Sequence, residues 1–343
     1  KEKCPNCYKK IKLSKYEFEK IAIDTSLYMY KYKCIFGEDR WMDAFINLVC
    51  CLRKNNIHSI FIFDSKAPIE KTKEQQERRE QRQKIKDKLN KIKGEWKEYL
   101  NTKVPSQYLL DICNEKNKVI KLLSKTENNF REETILHKIE KLELQTISID
   151  KKDFDMCKKI FDLLNVPYYQ ATTEAEATGA YLCRENKVKA VLSQDTDVLA
   201  YGSPIFLTDI NTHSESCIEI NINEILTTLE LKYEEFLDMC IMFGTDYNTN
   251  IPLIGPKKSY KLIKHYKSVT NINENTVLDI SNLKYERTKE LFTFTKNYFT
   301  KKIEYCKEPN FEKVDEFLFK NNSRINIDYI KKCFINDNII FEE

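Results

Sequence analysis

The chain has 343 residues, enough for one large domain with insertions or for two domains. Its 57 basic and 53 acidic side chains leave a net charge of +4, so a partner made of phosphates is neither demanded nor excluded, and the placement of the positive charge decides. Only 6 Gly and 8 Pro argue against a loop-rich fold, no apolar run is long enough to span a membrane, and no secretory signal is visible.

At the start of the chain, Cys4 and Cys7 form a lone CxxC with no second CxxC or His pair to complete a zinc site. Reduced, partly buried thiols are the expectation for the 12 cysteines, in the nucleus or cytoplasm (a viral replication compartment included) rather than in a secreted protein. Residues 21–30 read as a buried strand turning into a helix. A helix follows over 41–56, with Trp41, Phe45, Leu48, Val49 and Leu52 at helical spacing, and then a strand over 58–64. From 71 to about 150 the character changes. Lys71, Lys73, Arg78, Arg79, Arg82, Lys84, Lys86, Lys88 and Lys91 crowd one segment that has few large apolar residues before Trp96. It reads as a long helix or helical pair standing away from the core, laced with i,i+4 pairs such as Glu74–Arg78. Core-helix spacing resumes over 153–164. Strands are expected at 166–170 and 188–193, with a helix from Glu174 between them and one or two short strands over 204–220. The chain from 233 onward reads as helical, with Gly244 ending one helix and Ile251 to Pro256 turning into the next near Lys257. Strands alternating with helices predict an α/β fold with a central, twisted, mainly parallel sheet flanked by helices.

Seven carboxylates fall where apolar runs stop: Asp24, Asp64, Glu174, Glu176, Asp195, Asp197 and Asp246. Each has an ordinary explanation alone. Asp24 and Asp64 suit helix N-caps, Thr173 and Glu176 suit a capping box, and Asp195-Thr196-Asp197 suits a turn. Their recurrence at successive strand ends is harder to explain that way, because groups beyond the carboxyl ends of parallel strands converge. Acidic groups gathered there repel unless a cation joins them. An all-oxygen donor set favours Mg²⁺, with Mn²⁺ as a substitute, over zinc. Seven carboxylates exceed the needs of one ion and point to two, about 4 Å apart, clamping an in-line phosphoryl displacement. The four histidines are scattered and have no ligand spacing.

Five ordered motifs, IAIDTSLYMYKY, FIFDSKAP, ATTEAEATGAYL, SQDTDVLAYGSP and FGTDYNTNIPLIGPKK, resemble those of the flap endonuclease/XPG family of structure-specific 5′ nucleases nearly end to end, and the fourth is closest to flap endonucleases proper. The resemblance implies a PIN-like 5′ nuclease fold: nuclease core over 1–70 and 151–232, a helical arch over 71–150, a helix-hairpin-helix for duplex DNA over 233–290, and a C-terminal helical segment over 291–343 packing on the core. It implies that the seven carboxylates bind two Mg²⁺ ions and that Lys71 and Arg78 contact the scissile phosphate. Being seven residues apart, these two would share one helix face. The resemblance also gives Lys66 and Arg82 to the DNA-binding surface, and Gly255, Lys257 and Lys258 to duplex phosphates at the hairpin. Tyr30 matches an aromatic that stacks on a base, while packing beneath the site as a core tyrosine stands open beside that role.

The implied activity is cleavage of branched DNA bearing a 5′ flap, with associated 5′→3′ exonuclease action in replication and repair. An exonuclease or junction-resolving member of the same family, or a catalytically dead branched-DNA-binding scaffold, are the alternatives. A monomer is expected. A sliding clamp is an implied partner, although no Gln-x-x-apolar-x-x-aromatic-aromatic motif occurs. The family's K⁺ at the hairpin is also implied, but Leu253 stands where its first glycine belongs. The stretch between Tyr30 and Asp64 is shorter than in cellular flap endonucleases, and the 71–150 segment is longer.

Overall fold

The computed structural model describes residues 3–115, 130–295 and 298–334. Parts of the expected 71–150 insertion (116–129) and C-terminal segment (335–343) lie outside the described residues. By its contacts the chain divides into two compact units, Lys1–Thr72 with Ile149–Glu343, and Lys73–Ser148.

The larger unit is built on seven strands: β1 (Lys9–Lys12), β2 (Lys20–Asp24), β3 (His58–Phe63), β4 (Tyr168–Gln170), β5 (Ala190–Leu192), β6 (Ile205–Asn211) and β7 (Ser216–Asn221). Their order across the sheet is β1-β7-β6-β5-β2-β3-β4. The five strands from β6 to β4 run parallel, whereas β7 pairs antiparallel with β6 and β1 antiparallel with β7. Sequence periodicity missed β1, because its Lys-Lys-Ile-Lys carries almost no apolar signal, and pairing with β7 alone makes it a strand.

The central strands carry unbroken apolar runs, Ile21–Ile23, Ile60–Phe63 and Ala190–Leu192, because both faces are covered. Ala22, Ile60, Ile62 and Val191 enter one core, whereas Ile21, Ile23, Phe61, Phe63, Ala190 and Leu192 enter the other. The second core holds helices α1 (Thr25–Phe36), α2 (Trp41–Lys54) and α6 (Lys151–Leu163), and the C-terminal pair α14 (Phe311–Lys320) and α15 (Ile327–Cys333). The first holds α7 (Ala175–Arg184), the one-turn α8 (Asp197–Ala200), α9 (Ile222–Leu229), α10 (Tyr233–Phe243), α11 (Pro256–Tyr266) and α12 (Val269–Asn275), with Phe292 just beyond α13 (Tyr285–Leu291). Small residues let α7 lie close on the sheet. A Cβ added at Gly179 would stand 3.0 Å from a Val191 methyl carbon, so this helix cannot approach as closely with a larger residue there. All 12 cysteines are free, and Cys4 and Cys7 are buried around a short turn, with Cys7 Sγ 3.6 Å from Thr228 Oγ1.

The chain moves outward in one direction from β2 through β3 to β4, then returns to place β5 on the other side of β2. The β2/β5 boundary is therefore the topological switch point, where a crevice opens beyond the strand ends.

The smaller unit consists of α3 (Thr72–Thr102) beyond its first residue, α4 (Gln107–Glu115) and α5 (Glu132–Thr146). It has a core of its own, formed by Leu89, Ile92, Tyr99, Leu109, Ile112, Cys113, Ile135 and Leu142, and three helices where one helix or a pair was expected. Tyr99 Oη donates to Glu132 Oε1 at 2.6 Å, tying α3 to α5. Residues 73–88 of α3 fully bury no side chain, and of these only Ile85 packs against the core of the unit, so the basic run lies on the less covered half of this helix.

Candidate active site

Asp24 closes β2 and N-caps α1, accepting from the Leu27 amide at 3.1 Å. Its other oxygen accepts from Ser193 Oγ at 3.1 Å, a bond that spans the β2/β5 switch point. Ser193 also accepts from the Asp195 amide at 3.0 Å, and Asp195 Oδ1 accepts from the Asp197 amide at 2.9 Å. The turn after β5 is thus wound around side-chain oxygens, which fixes where Asp195 and Asp197 stand.

Asp64 follows β3, but it does not cap the helix that succeeds it in sequence. Its Oδ1 accepts from the Ala175 amide at 2.8 Å, at the N-terminus of α7. That bond displaces the expected capping box. Thr173 instead bonds Tyr298 Oη at 2.7 Å, and Glu174, at the N-cap position, makes no capping hydrogen bond with its side chain. Glu174 and Glu176 are both buried, and neither is occupied in holding the helix end.

Asp246 lies beyond α10 in a turn held by Asn248, whose Oδ1 accepts from Thr245 Oγ1 at 2.6 Å and whose amide nitrogen donates to the Ile241 carbonyl at 2.9 Å. Gly244 turns the chain at φ +88°, where a Cβ would meet the Asn250 nitrogen at 3.1 Å. The next residue, Tyr247, is buried and donates to Glu174 Oε2. Tyr247 Oη lies 2.5 Å from Tyr201 Oη, also buried. This pair was not singled out from sequence. The alternation of Asp246 with a neighbouring aromatic is too common to be a signal, and only the fold brings Tyr247 to Glu174.

Lys71 Nζ lies 2.5 Å from Glu174 Oε1 and 2.8 Å from Asp246 Oδ2. It closes a short 3-10 turn (Ile69–Lys71) before α3 begins, so the expected shared helix face with Arg78 is not formed. Arg78 Nε is paired with Glu74 one turn back in α3. Lys66, Lys257 and Lys258 are exposed, Arg82 is half-buried, and Gly255 is the N-cap of α11. At 40% exposure Tyr30 is not a core tyrosine; its neighbour Tyr28 takes that place. At the hairpin, the Leu253 carbonyl accepts from Lys258 Nζ at 3.0 Å, so this chain's own ammonium meets that carbonyl.

Electrostatics link all seven carboxylates. Burial raises the Asp24 carboxyl, and Asp64 raises it further, against the partial relief of the Leu27 amide and Ser193. Burial and then Asp24, Glu174, Asp64 and Asp195 raise Glu176. Asp197 is pushed up to about 7 by burial, then by Asp195 and Asp246, with Lys71 opposing. Burial works against the Lys71 charge, but Glu174 and Asp246 outweigh it and hold its pKa above the ordinary lysine value.

Among the described residues, no three acidic, His or Cys side chains close on one point as a ready-made metal cage. Five of the seven, Asp24, Asp64, Asp195, Glu174 and Asp246, lean instead toward a protein donor: Ser193, the Ala175 amide, the Asp197 amide, Tyr247 and Lys71 in turn. The donor chemistry still fits a hard divalent cation. The set is oxygen only, crowded and partly buried, and three of its members are held above the ordinary carboxylate range.

Comparison with known proteins identifies what the site belongs to. The XPG N-terminal domain model matches residues 3–85, and the XPG I-region model matches residues 165–246. A protein of Invertebrate iridescent virus 6 that bears the name RAD2-like endonuclease is 32% identical, over 99% of this chain and 90% of its own length. Flap endonuclease 1 of Enterocytozoon bieneusi is 29% identical, over 84% of this chain and 75% of its own. The solved flap endonuclease-1 of Methanococcus jannaschii superposes with a TM-score of 0.63 at 23% identity, covering 96% of this chain and 97% of its own. The fold is that of the 5′ nucleases, and the molecule is a nuclease. The chain belongs to the XPG/flap endonuclease family of structure-specific nucleases.

Proposed function

We propose that this nuclease hydrolyses branched DNA at the base of a 5′ flap, with associated 5′→3′ exonuclease action, and that it depends on two divalent cations, Mg²⁺ or Mn²⁺, held by the seven carboxylates. The observation that carries this reading is the crowding of Asp24, Asp64, Glu174, Glu176, Asp195, Asp197 and Asp246 around the β2/β5 switch point, each raising the pKa of at least one other or being raised itself. The flap itself comes from the name of the Enterocytozoon relative. Divalent ions at such a site supply a lowered pKa for a water and positive charge at the leaving 3′ oxygen, which yields a 5′ phosphate and a 3′ hydroxyl.

The chain's own groups do the positioning. Ser193 and the Ala175 amide hold Asp24 and Asp64 in fixed rotamers. Tyr247 and Lys71 hold Glu174 from two sides, one through each carboxylate oxygen. Lys71 brings a permanent cation to the carboxylates' edge, where it would meet a phosphate, and Arg78 and Arg82 belong to a basic half-helix suited to a single-stranded 5′ end. Lys257 and Lys258 at the start of α11 would take duplex phosphates without reading sequence.

The test is Asp195→Asn with a free 5′ flap, a blunt duplex and a four-way junction, with and without Mg²⁺. The variant should bind flap DNA as the parent does and no longer cut it. Cutting at the parental rate would overturn the site assignment. A parent that cuts the junction or blunt duplex in preference to the flap would replace the substrate reading.

A further inference from the structure

The turn that joins α10 to α11 contains an apolar side chain that does nothing for the fold. The Ile254 amide donates to the Ile251 carbonyl at 3.0 Å, with Pro252 and Leu253 between them. Proline second and a positive φ third is the pattern of a type II turn, whose third position normally takes Gly or Asn. Here it is Leu253 at φ +64°, a conformation in which Cβ crowds the following carbonyl oxygen. A strained position is usually offset by packing, but Leu253 is 89% exposed. Its neighbours behave in the opposite way: Ile251 and Ile254 are buried and anchor both ends of the turn. The Leu253 carbonyl is further held by Lys258 Nζ. The side chain is therefore projected on a fixed backbone, beside the exposed lysines 257 and 258 on the first turn of α11.

We infer that Leu253 is an apolar prong that enters the minor groove of duplex DNA while the adjacent lysines take the flanking phosphates. This rests on the DNA-cleaving function proposed above. Apolar side chains set between cations fit a groove whose floor is base edges and whose rims are phosphates, and apolar wedges of this kind widen or kink the duplex they enter. A strained backbone retained at an exposed apolar tip is the kind of outlier from which a function can be inferred. Leu253 would thus add what the lysines cannot, affinity for the duplex arm that does not weaken with salt.

The experiment compares Leu253→Gly, Leu253→Ala and Leu253→Met, measuring melting temperature and affinity for a flap substrate and for single-stranded DNA over a series of salt concentrations. Leu253→Gly relieves the backbone and removes the prong. It should melt at or above the parental temperature and bind the flap substrate about tenfold more weakly. Leu253→Ala keeps the strain and should lose the same affinity, whereas Leu253→Met should restore most of it. None of the three should change the slope of log affinity against log salt, because no charge has been removed. Single-strand binding should stay at the parental level. Parental flap affinity in Leu253→Ala would overturn the prong, as would a large fall in melting temperature for Leu253→Gly. A changed salt slope would assign the effect to displaced lysines and overturn it too. If the parent itself fails to bind or cut branched DNA, the proposed function falls, a result distinct from any of these.

Discussion

The carboxylate pocket and the basic half of α3 carry opposite charge and are built in opposite ways. In the pocket, like charges are forced together by a sheet buried on both faces, and the cost is visible as carboxyls held above their ordinary range. In residues 73–88 the charges lie on a stretch of helix that fully buries no side chain, balanced by pairs such as Glu74–Arg78. Buried charges are expensive to rearrange and exposed ones are not. Substitutions in the pocket should therefore act on chemistry and folding together, whereas those on α3 should act on substrate encounter alone.

The largest effect that would sharpen this contrast is at Lys71, the cation that belongs to the pocket. Lys71→Ala should slow cleavage by about a hundredfold, since a cation directed at transition-state charge is commonly worth that much. The same change should tighten Mg²⁺ binding, because the lysine shares Glu174 and Asp246 with any other cation. Calorimetric titration of Mg²⁺ beside single-turnover cleavage tests both signs. A variant that binds the metal more weakly would make Lys71 a structural partner of the site rather than a competitor. Arg78→Ala, made in parallel, should leave metal affinity unchanged.

Next in size is Tyr247→Phe. Its hydroxyl donates to Glu174, so removing it leaves a buried carboxylate oxygen with one donor fewer. Cleavage should slow about tenfold in kcat with little change in KM, because Glu174 loses its fixed orientation while the DNA contacts persist. Tyr201→Phe, one bond further out, should have a smaller effect in the same direction. An unchanged kcat in Tyr247→Phe would mean that Lys71 alone suffices to hold Glu174.

The mainly parallel sheet was legible in apolar runs that stop at acids, because strand ends converge whatever the intervening chain does; Asp246, which follows a helix, is brought there by the fold. Tyr247, Tyr201 and Ser193 were not legible, because their roles depend on hydrogen bonds between segments far apart in sequence. The core of the smaller unit was hidden for another reason: Leu89, Ile92 and Tyr99 follow a long charged run that dilutes their helical spacing. Local capping rules also misled at Thr173, where Asp64 reaches the helix end from another strand and takes its amide.

A smaller effect, on stability, follows from Asp197. Its carboxyl is raised to about 7 in the folded protein, against about 3.9 for an unfolded chain. Below about pH 4 it is protonated in both states and has no effect. Between pH 4 and 7 the folded state binds the extra proton, so stability falls as pH rises, and above 7 the full penalty remains. In metal-free buffer Asp197→Asn should therefore melt higher than the parent at pH 8 and equal to it at pH 4. Mg²⁺ should reverse the order at pH 8. A variant that melts lower than the parent without metal at pH 8 would give Asp197 a structural role and break the account of the pocket as crowded negative charge.

The smallest effect belongs to the other side of the comparison. Arg79 and Arg82 lie on the part of α3 that fully buries no side chain. Replacing either with Ala should change stability by no more than about 0.5 kcal/mol, as for most surface positions. If the basic run meets the single strand through its phosphates, each substitution should lower the slope of log affinity against log salt by about 0.7 and leave kcat at saturating substrate unchanged. A loss of kcat would move that arginine from the encounter surface to the reacting phosphate. The half-helix would then have to be read, like Lys71, as part of the chemistry rather than of its approach.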